Sequence, residues 1–450
     1  MPTLMVSVSG IRGIVGDGLD PNTIVKYTSA YADFCGEGKI VVGRDTRITG
    51  EMVKDIVIGT LLAKGNDVID IGICPTPTVL FNIKKLNAVG AIAITASHNP
   101  NEWNALKLLN SDGEFMTPEE NVRMLKLLDT STQNYKNWEH IGKLKLYSEG
   151  LQNHFDEVLK LKYIDLPVLR KRKFKVLLDC VNGAGNIVMP KLLTELGCEV
   201  IALNCDESGI FPRLPEPFPE NLKDVMKSVK ELKADIGIVL DPDADRLVFI
   251  TEEGEPLGEE NSVTNVVKFI LSKNRGNVVV NLSTTRGIDD VAGKFGCQVF
   301  RTPVGEAYVV KKMKEVNAIV GGEGSGGVIV PELQYARDAL VGAVLTLQHL
   351  LEFGGKTSEF RSSLPQYFNK KIKVNILKKN PNEIINKLIE NYKNQNINID
   401  DGLRIDFEDH WVHMRKSNTE PIIRCVVEVN DKYKLDKYAE KYHSEIISLC

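Results

Sequence analysis

The hexapeptide Thr95-Ala96-Ser97-His98-Asn99-Pro100 sets a hydroxyl beside an imidazole in a polar turn. Pro100 pushes Asn99 out of the helical region. Ser97 is thereby placed on a loop, where it can serve as a nucleophile or phosphate carrier; an ordinary Ser/Asn/Pro turn is the alternative. Asp241, Asp243 and Asp245 alternate through Asp-Pro-Asp-Ala-Asp-Arg. Three carboxylates converge on one point only around a cation, and an all-oxygen set suits Mg²⁺ or Ca²⁺, not zinc. An EF-hand also begins D-x-D-x-D, with Glu252 at its twelfth position, but Arg246 stands sixth, where that loop needs glycine. A purely structural turn is the other alternative. Three carboxylates leave Mg²⁺ short of six ligands, so a phosphate oxygen is expected to complete its shell.

Arg415-Lys416-Ser417-Asn418-Thr419-Glu420-Pro421, with Arg424 just beyond, packs cations, hydroxyls and an amide into one loop. Such a loop either cradles a phosphate or is a plain polar hairpin. The run Gly321-Gly322-Glu323-Gly324-Ser325-Gly326-Gly327 lets backbone approach a ligand while presenting Glu323 and Ser325. It matches neither nucleotide-binding glycine pattern. Asn104-Ala105-Leu106-Lys107 follows the serine by ten residues; Lys107 is either a solvated lysine or one whose pKa is lowered for proton transfer near cations and Mg²⁺. Arg12, Arg44 and Arg47 are surface charges or anion contacts. Glycines adjoining Arg12 and Arg44 in expected strand-end loops favour the second reading for those two.

These residues need rigid elements behind them. The apolar run 88–94 has the composition of a buried strand that delivers Ser97. Strands are expected at 39–42, 67–73, 174–179, 199–203, 234–240, 277–282, 298–302, 371–376 and 422–429. Helices are expected at 50–64, 76–85, 187–196, 222–233, 261–271, 306–314, 338–351 and 383–392. Strand–turn–helix alternation of this kind places ligand groups at strand ends. Phe211 to Pro219 holds four prolines and is expected to be irregular. The parsing is three α/β units and a smaller α+β one, with no close internal repeat: 1–150 carrying the serine, 151–254 the aspartates, 255–365 the glycine loop and 366–450 the basic loop.

Length alone, 450 residues, suggests about three domains. A net charge of −4 and a pI near 6.1 argue against nucleic acid or a membrane surface as main partner. Any anion must therefore be caught by a local basic cluster. The N-terminus lacks a basic signal-peptide region and no run approaches a membrane span. Eight cysteines are scattered without metal-ligand spacing, as expected of reduced thiols in a cytoplasmic protein. Cys35, Cys74, Cys180 and Cys425 read as packing residues.

In this order and at these distances, TASHNP with NALK, DPDADR, GEGSGG and RKSNTEP closely resemble the four signatures of the α-D-phosphohexomutases. The resemblance covers the whole chain. It implies four domains around a central cleft, three similar mixed-sheet α/β domains and a C-terminal α+β domain related to the TATA-binding-protein fold. It further implies that Ser97 carries a phosphoryl group and that Asp241, Asp243 and Asp245 hold one Mg²⁺ with an oxygen of that phosphate. Glu323 and Ser325 would grip sugar hydroxyls. Arg415, Ser417, Asn418 and Thr419, with Arg424 nearby, would bind the non-reacting phosphate. Arg12, His98, Lys107 and Arg246 match positions near the phosphoserine. The implied reaction interconverts hexose 6- and 1-phosphates through a hexose 1,6-bisphosphate.

Gly327 and Val304-Gly305-Glu306 stand where one bacterial branch of the family carries histidines. They place the chain nearer the archaeal-type branch, with glucosamine phosphate the expected substrate and broad glucose/mannose specificity the alternative. From other classes, a Mg²⁺-dependent sugar phosphatase and a non-catalytic sugar-phosphate binder stay open. The protein is expected to be a monomer or homodimer.

Overall fold

The computed structural model describes residues 3–8, 10–376, 380–417 and 422–450. Among them four sheets form, each flanked by helices. The first has at its centre Asp67–Ile73, Lys39–Arg44, Gly90–Ile94 and Trp103–Leu109, in that order. The first three run parallel and the fourth antiparallel. Gly10–Val15 and Met5–Ser7 extend one edge and Leu144–Leu146 the other.

The second sheet is ordered Glu199–Leu203, Lys175–Asp179, Ile236–Leu240, Leu247–Thr251, again three parallel strands and one antiparallel. The third repeats the arrangement with Val299–Thr302, Val278–Asn281, Val320–Glu323 and Gly327–Ile329. The serine, aspartate and glycine loops are therefore the same element three times over. Each joins the carboxyl end of the third parallel strand to its antiparallel neighbour, the end at which open α/β sheets present ligand groups. The fourth sheet is wholly antiparallel: Phe368–Asn375, Ile422–Val429, His410–Lys416, Leu403–Asp406 and Ile397–Asn398.

Local sequence explains the elements. Gly90–Ile94 is buried along its whole length, as a strand covered by helices on both faces must be. Helix Pro118–Leu125 opens with a capping box between Thr117 and Glu120. Helix Ala339–Phe353 starts where the Asp338 carboxylate accepts from the Leu340 and Val341 amides. The second and third units share one continuous apolar core, from Phe155 through Leu247 to Leu364. The first and fourth units each have cores of their own. No helix of the described residues is long and apolar enough to cross a membrane.

Candidate active site

One cavity of about 310 Å³ is lined by Arg12, Ser97, His98, Lys107, Arg246, Glu323, Arg415, Ser417 and Arg424. An adjoining cavity of about 860 Å³ adds Ser325. All four units thus contribute to a central cleft. Asn418 and Thr419 lie outside the described residues.

Ser97 stands three residues past the end of its strand with φ near +49°. A non-glycine residue pays a conformational penalty in that left-handed region and persists there only when its surroundings hold it. The Ser97 amide donates to Thr95 Oγ1 (3.0 Å), which in turn donates to Asp45 Oδ2 (2.6 Å). Beneath the loop lies Arg47, 1% exposed. Its guanidinium donates to the carbonyls of Ser97, Asn99, Pro100 and Trp103 at 2.6–3.0 Å and pairs with Asp45 at 3.0 Å. Far from being a surface charge, Arg47 is the internal brace of the serine loop. The Ser97 hydroxyl donates to Asp241 Oδ2 at 2.9 Å, with His98 Nδ1 at 3.3 Å.

The aspartates lie in a tight loop with Ala244 at φ near +50°. A glycine turn seats it: Ala184 N donates to Pro242 O at 2.6 Å, and a Cβ on Gly183 would sit 2.5 Å from Pro242 Cα. Across the domain boundary, Thr76 donates to Asp243 through both its amide (2.9 Å) and its hydroxyl (2.6 Å). Facing oxygens of all three carboxylates lie within 4.8 Å of one another. One oxygen of each residue is engaged from outside: Asp243 Oδ2 by Lys107 (2.5 Å), Asp245 Oδ2 by Arg337 (2.7 Å), and Asp241 Oδ2 by Ser97. Asp243 Oδ1 and Asp245 Oδ1 are buried without a hydrogen-bond partner, the nearest cation to the latter being Arg246 Nε at 3.6 Å. Two orphaned buried carboxylate oxygens beside a third carboxylate fit a hard divalent cation. An EF-hand does not form. Leu247–Thr251 is a strand paired with Ile236–Leu240, and Glu252 accepts from Ser358 instead.

Electrostatics follow from burial. Desolvation, reinforced by Asp243 and Asp245, pushes Asp241 well above the carboxylate range. Burial is the largest single influence on its two neighbours as well, but Lys107 and Thr76 together outweigh it at Asp243, and Arg337, Lys107 and Arg246 together at Asp245, so both lie below that range. Desolvation pushes half-buried His98 well below the usual histidine value, aided by Arg246 and Arg12. It also lowers Arg12 to about 10, which leaves that group charged at neutral pH.

Three sequence expectations need correction. Lys107 is not solvated but 2% exposed. Burial works to lower its pKa, yet Asp243 and Asp245 prevail and raise it. Arg12 lies within strand Gly10–Val15, not in a strand-end loop. Opposite Ala105, it shares a face with Lys107 two residues on, and its guanidinium donates to Asn99 Oδ1 at 2.6 Å. Arg44 turns outward to Glu51 at 2.7 Å.

In the third unit, Glu323 is 6% exposed and fully engaged. Asn281 Nδ2 (2.8 Å) and the Gly305 amide (3.0 Å) donate to Oε1, and Arg337 (2.8 Å) to Oε2. Glu306 pairs with the same arginine at 2.8 Å. Desolvation lifts its pKa to about 7 against that pairing. Arg415 reaches the cleft from strand His410–Lys416, opposite Arg424 in register and 3.9 Å from Asp401. Desolvation lowers its pKa. Sequence reasoning missed Arg337 and Thr76, which sit in no motif and become visible only when the units pack.

Domain descriptions of the phosphoglucomutase/phosphomannomutase family match the chain in order: α/β/α domain I over 4–135, domain II over 152–254, domain III over 261–368 and the C-terminal domain over 370–443. Two archaeal relatives resemble it along nearly its whole length. A phosphoglucomutase/phosphomannomutase of Thermococcus kodakarensis is 38% identical over 440 residues, covering 96% of each chain. A probable phosphoglucosamine mutase of Methanopyrus kandleri is 36% identical, covering 98% of this chain and 97% of its own. The crystal structure of a family protein from Burkholderia thailandensis shares the fold, with a TM-score of 0.85 at 24% identity over 99% of this chain and 98% of the other. The chain belongs to the phosphoglucomutase/phosphomannomutase family, whose members are phosphohexomutases, a class of isomerase.

Proposed function

We propose that this protein interconverts the 6- and 1-phosphates of a hexose, with glucosamine phosphate preferred, by exchanging a phosphoryl group with Ser97. The observation that carries the reading is the Ser97 hydroxyl held 2.9 Å from Asp241 in the cleft that Arg415 enters from the opposite unit. A phosphoryl donor and a second anion site thus face one another.

In the working state Ser97 carries the phosphoryl group. Arg415, Ser417 and Arg424 hold the sugar's existing phosphate, while Glu323 and Ser325 accept from or donate to its ring substituents. Held this way, the free sugar hydroxyl meets the phosphoserine in line. The new sugar O–P bond forms as the Ser97 Oγ–P bond breaks; Oγ keeps the electron pair of that bond and takes up a proton in exchange for the one the sugar hydroxyl gives up, so the transfer is proton-neutral overall. The hexose 1,6-bisphosphate then turns end for end, and its other phosphate returns to Ser97. Arg47 fixes the loop so that Oγ occupies one place in both half-reactions. Arg12, Lys107 and Arg246 bring positive charge to the transferring group, for which positioning and charge neutralisation are the main catalytic needs. Asp241, Asp243 and Asp245 would hold one Mg²⁺, which when bound supplies further neutralisation of phosphoryl oxygens.

The preference for glucosamine rests on Glu306 and Glu323, two carboxylates on the sugar-facing wall, and on the name of the Methanopyrus relative. Incubation with glucosamine 6-phosphate and Mg²⁺ tests the proposal: the 1-phosphate should accumulate without free phosphate. Release of phosphate would make the protein a phosphatase, and binding without turnover a carrier. Faster conversion of both glucose and mannose phosphates would overturn the choice of sugar.

A further inference from the structure

Arg337 belongs to none of the four motifs, yet its guanidinium joins two of them. Nε donates to Glu306 Oε2 (2.8 Å), Nη1 to Glu323 Oε2 (2.8 Å) and Nη2 to Asp245 Oδ2 (2.7 Å), while its own amide donates to Glu306 Oε1 (3.1 Å). All four side chains are at most 9% exposed. The three carboxylates come from the aspartate loop, the strand that opens the glycine loop, and the first turn of helix Glu306–Glu315. A planar fork with fixed donor directions allows them only one mutual arrangement.

The route to that position runs over Gly327. A Cβ at Gly327 would fall 2.3 Å from Arg337 Cδ and 2.9 Å from Cγ. The obstructed atoms are the stem of the side chain, not its mobile tip, so a residue larger than glycine must displace the fork. The charges are also unequal. One guanidinium faces three carboxylates and lines the same cavity as Glu306 and Glu323.

We propose that Arg337 is a specificity-determining and positioning residue. It fixes Glu323 against the aspartate loop, and it sets how much negative charge the cleft wall presents to the sugar's ring substituents. The inference rests on the reading of the cleft as a sugar-phosphate site. With Arg337 in place, Glu306 and Glu323 are partly neutralised and accept both a neutral hexose and an ammonium-bearing hexosamine. Without it, Glu306, lifted to about 7 by burial and freed of its counter-charge, takes up a proton, but Glu323 also loses the guanidinium at Oε2, so the wall grows more negative beside Glu323, which favours the hexosamine. Loss of positioning lowers both rates; loss of charge alters their ratio.

The test compares kcat/KM for glucosamine 6-phosphate and glucose 6-phosphate, at neutral pH and saturating Mg²⁺, in wild type, R337K, R337Q, G327A and R337Q/G327A. R337Q should lower kcat/KM for the neutral sugar at least about tenfold, as loss of charged hydrogen bonds implies. It should also raise the amino-to-neutral sugar ratio by about fivefold or more. R337K should bring the ratio back to within about twofold of wild type while restoring only part of the rate, since it supplies charge without the fork. G327A should lower both sugars together, and the double variant should fall no more than about twofold below R337Q, because both changes break the same contacts. A purely structural role lowers the active fraction and leaves the ratio unmoved. Equal losses for both sugars in R337Q, or multiplicative losses in the double variant, overturn the proposal. Should R337Q fail to fold, R337K and G327A decide: wild-type kcat/KM in either is a refutation. If the wild type converts neither sugar, the catalytic reading fails instead. The same ratio is then read from calorimetric affinities for the two sugar phosphates, and an unchanged ratio in R337Q overturns this inference separately.

Discussion

Replacing Arg47 tests whether the serine loop is braced as its geometry implies. Arg47→Ala removes a guanidinium, on a residue 1% exposed, that serves four carbonyls and the Asp45 carboxylate. Breaking a buried ion pair by removing one member costs about 3–5 kcal/mol. Bonds to a charged group are each worth about 1.5–3 kcal/mol but do not add when they share one donor. About 3–5 kcal/mol is therefore the expected loss, a large share of the roughly 5–15 kcal/mol that a domain has in total. Asp45 offers partial relief. Burial already raises its pKa against the pull of Arg47, and without Arg47 it rises further, so the folded variant takes up a proton. A folded pKa above the unfolded one makes the folded state hold more protons, so stability falls as pH rises through that window. The gap between variant and wild type should accordingly be smaller near pH 5 than near pH 8. Thermal melts across pH, with mutase rates below the melting range, measure both effects. Arg47→Lys keeps the charge but reaches only some of the carbonyls, and should sit between the two in stability with kcat reduced at least about tenfold. A wild-type kcat for Arg47→Lys, or a stability gap that widens toward acid, would refute the brace.

Ser97→Ala should abolish turnover and the phosphoprotein species seen by intact mass; a variant with wild-type rate would remove Ser97 from the mechanism. Asp243→Asn, or exhaustive chelation, should remove nearly all activity, with Mg²⁺ restoring only the chelated wild type; full activity after chelation would show the aspartates to be structural. Arg415→Ala should lower kcat/KM by roughly ten- to a hundredfold, mostly through KM, since a charged bond to phosphate contributes about 1.5–3 kcal/mol. Arg415→Lys should recover part of it, and unchanged constants would reduce the loop to a surface turn.

How much of this was readable in the chain depends on which forces set each feature. Strands Asp67–Ile73 and Ile422–Val429 have the bounds read from their apolar-rich segments, because burial of most positions concentrates Val and Ile there. The threefold recurrence of one sheet topology left no close sequence repeat. Strand order is set by apolar patterning and turn placement, and many different residues satisfy both. Ser97 and the aspartates stood out because their chemistry is concentrated in a few adjacent positions. Arg47 and Arg337 did not: each works through contacts 14 to 92 residues away in the chain, and a lone arginine before a helix resembles any solvated charge. Lys107 differs again. It was expected near cations and Mg²⁺; packing sets it directly against Asp243 and Asp245, and the sign of a pKa shift follows the nearest opposite charge. Motifs thus announce the groups that line the cleft, while the groups that aim them are legible only from the fold. A search confined to motifs finds Ser97 and misses what holds it still.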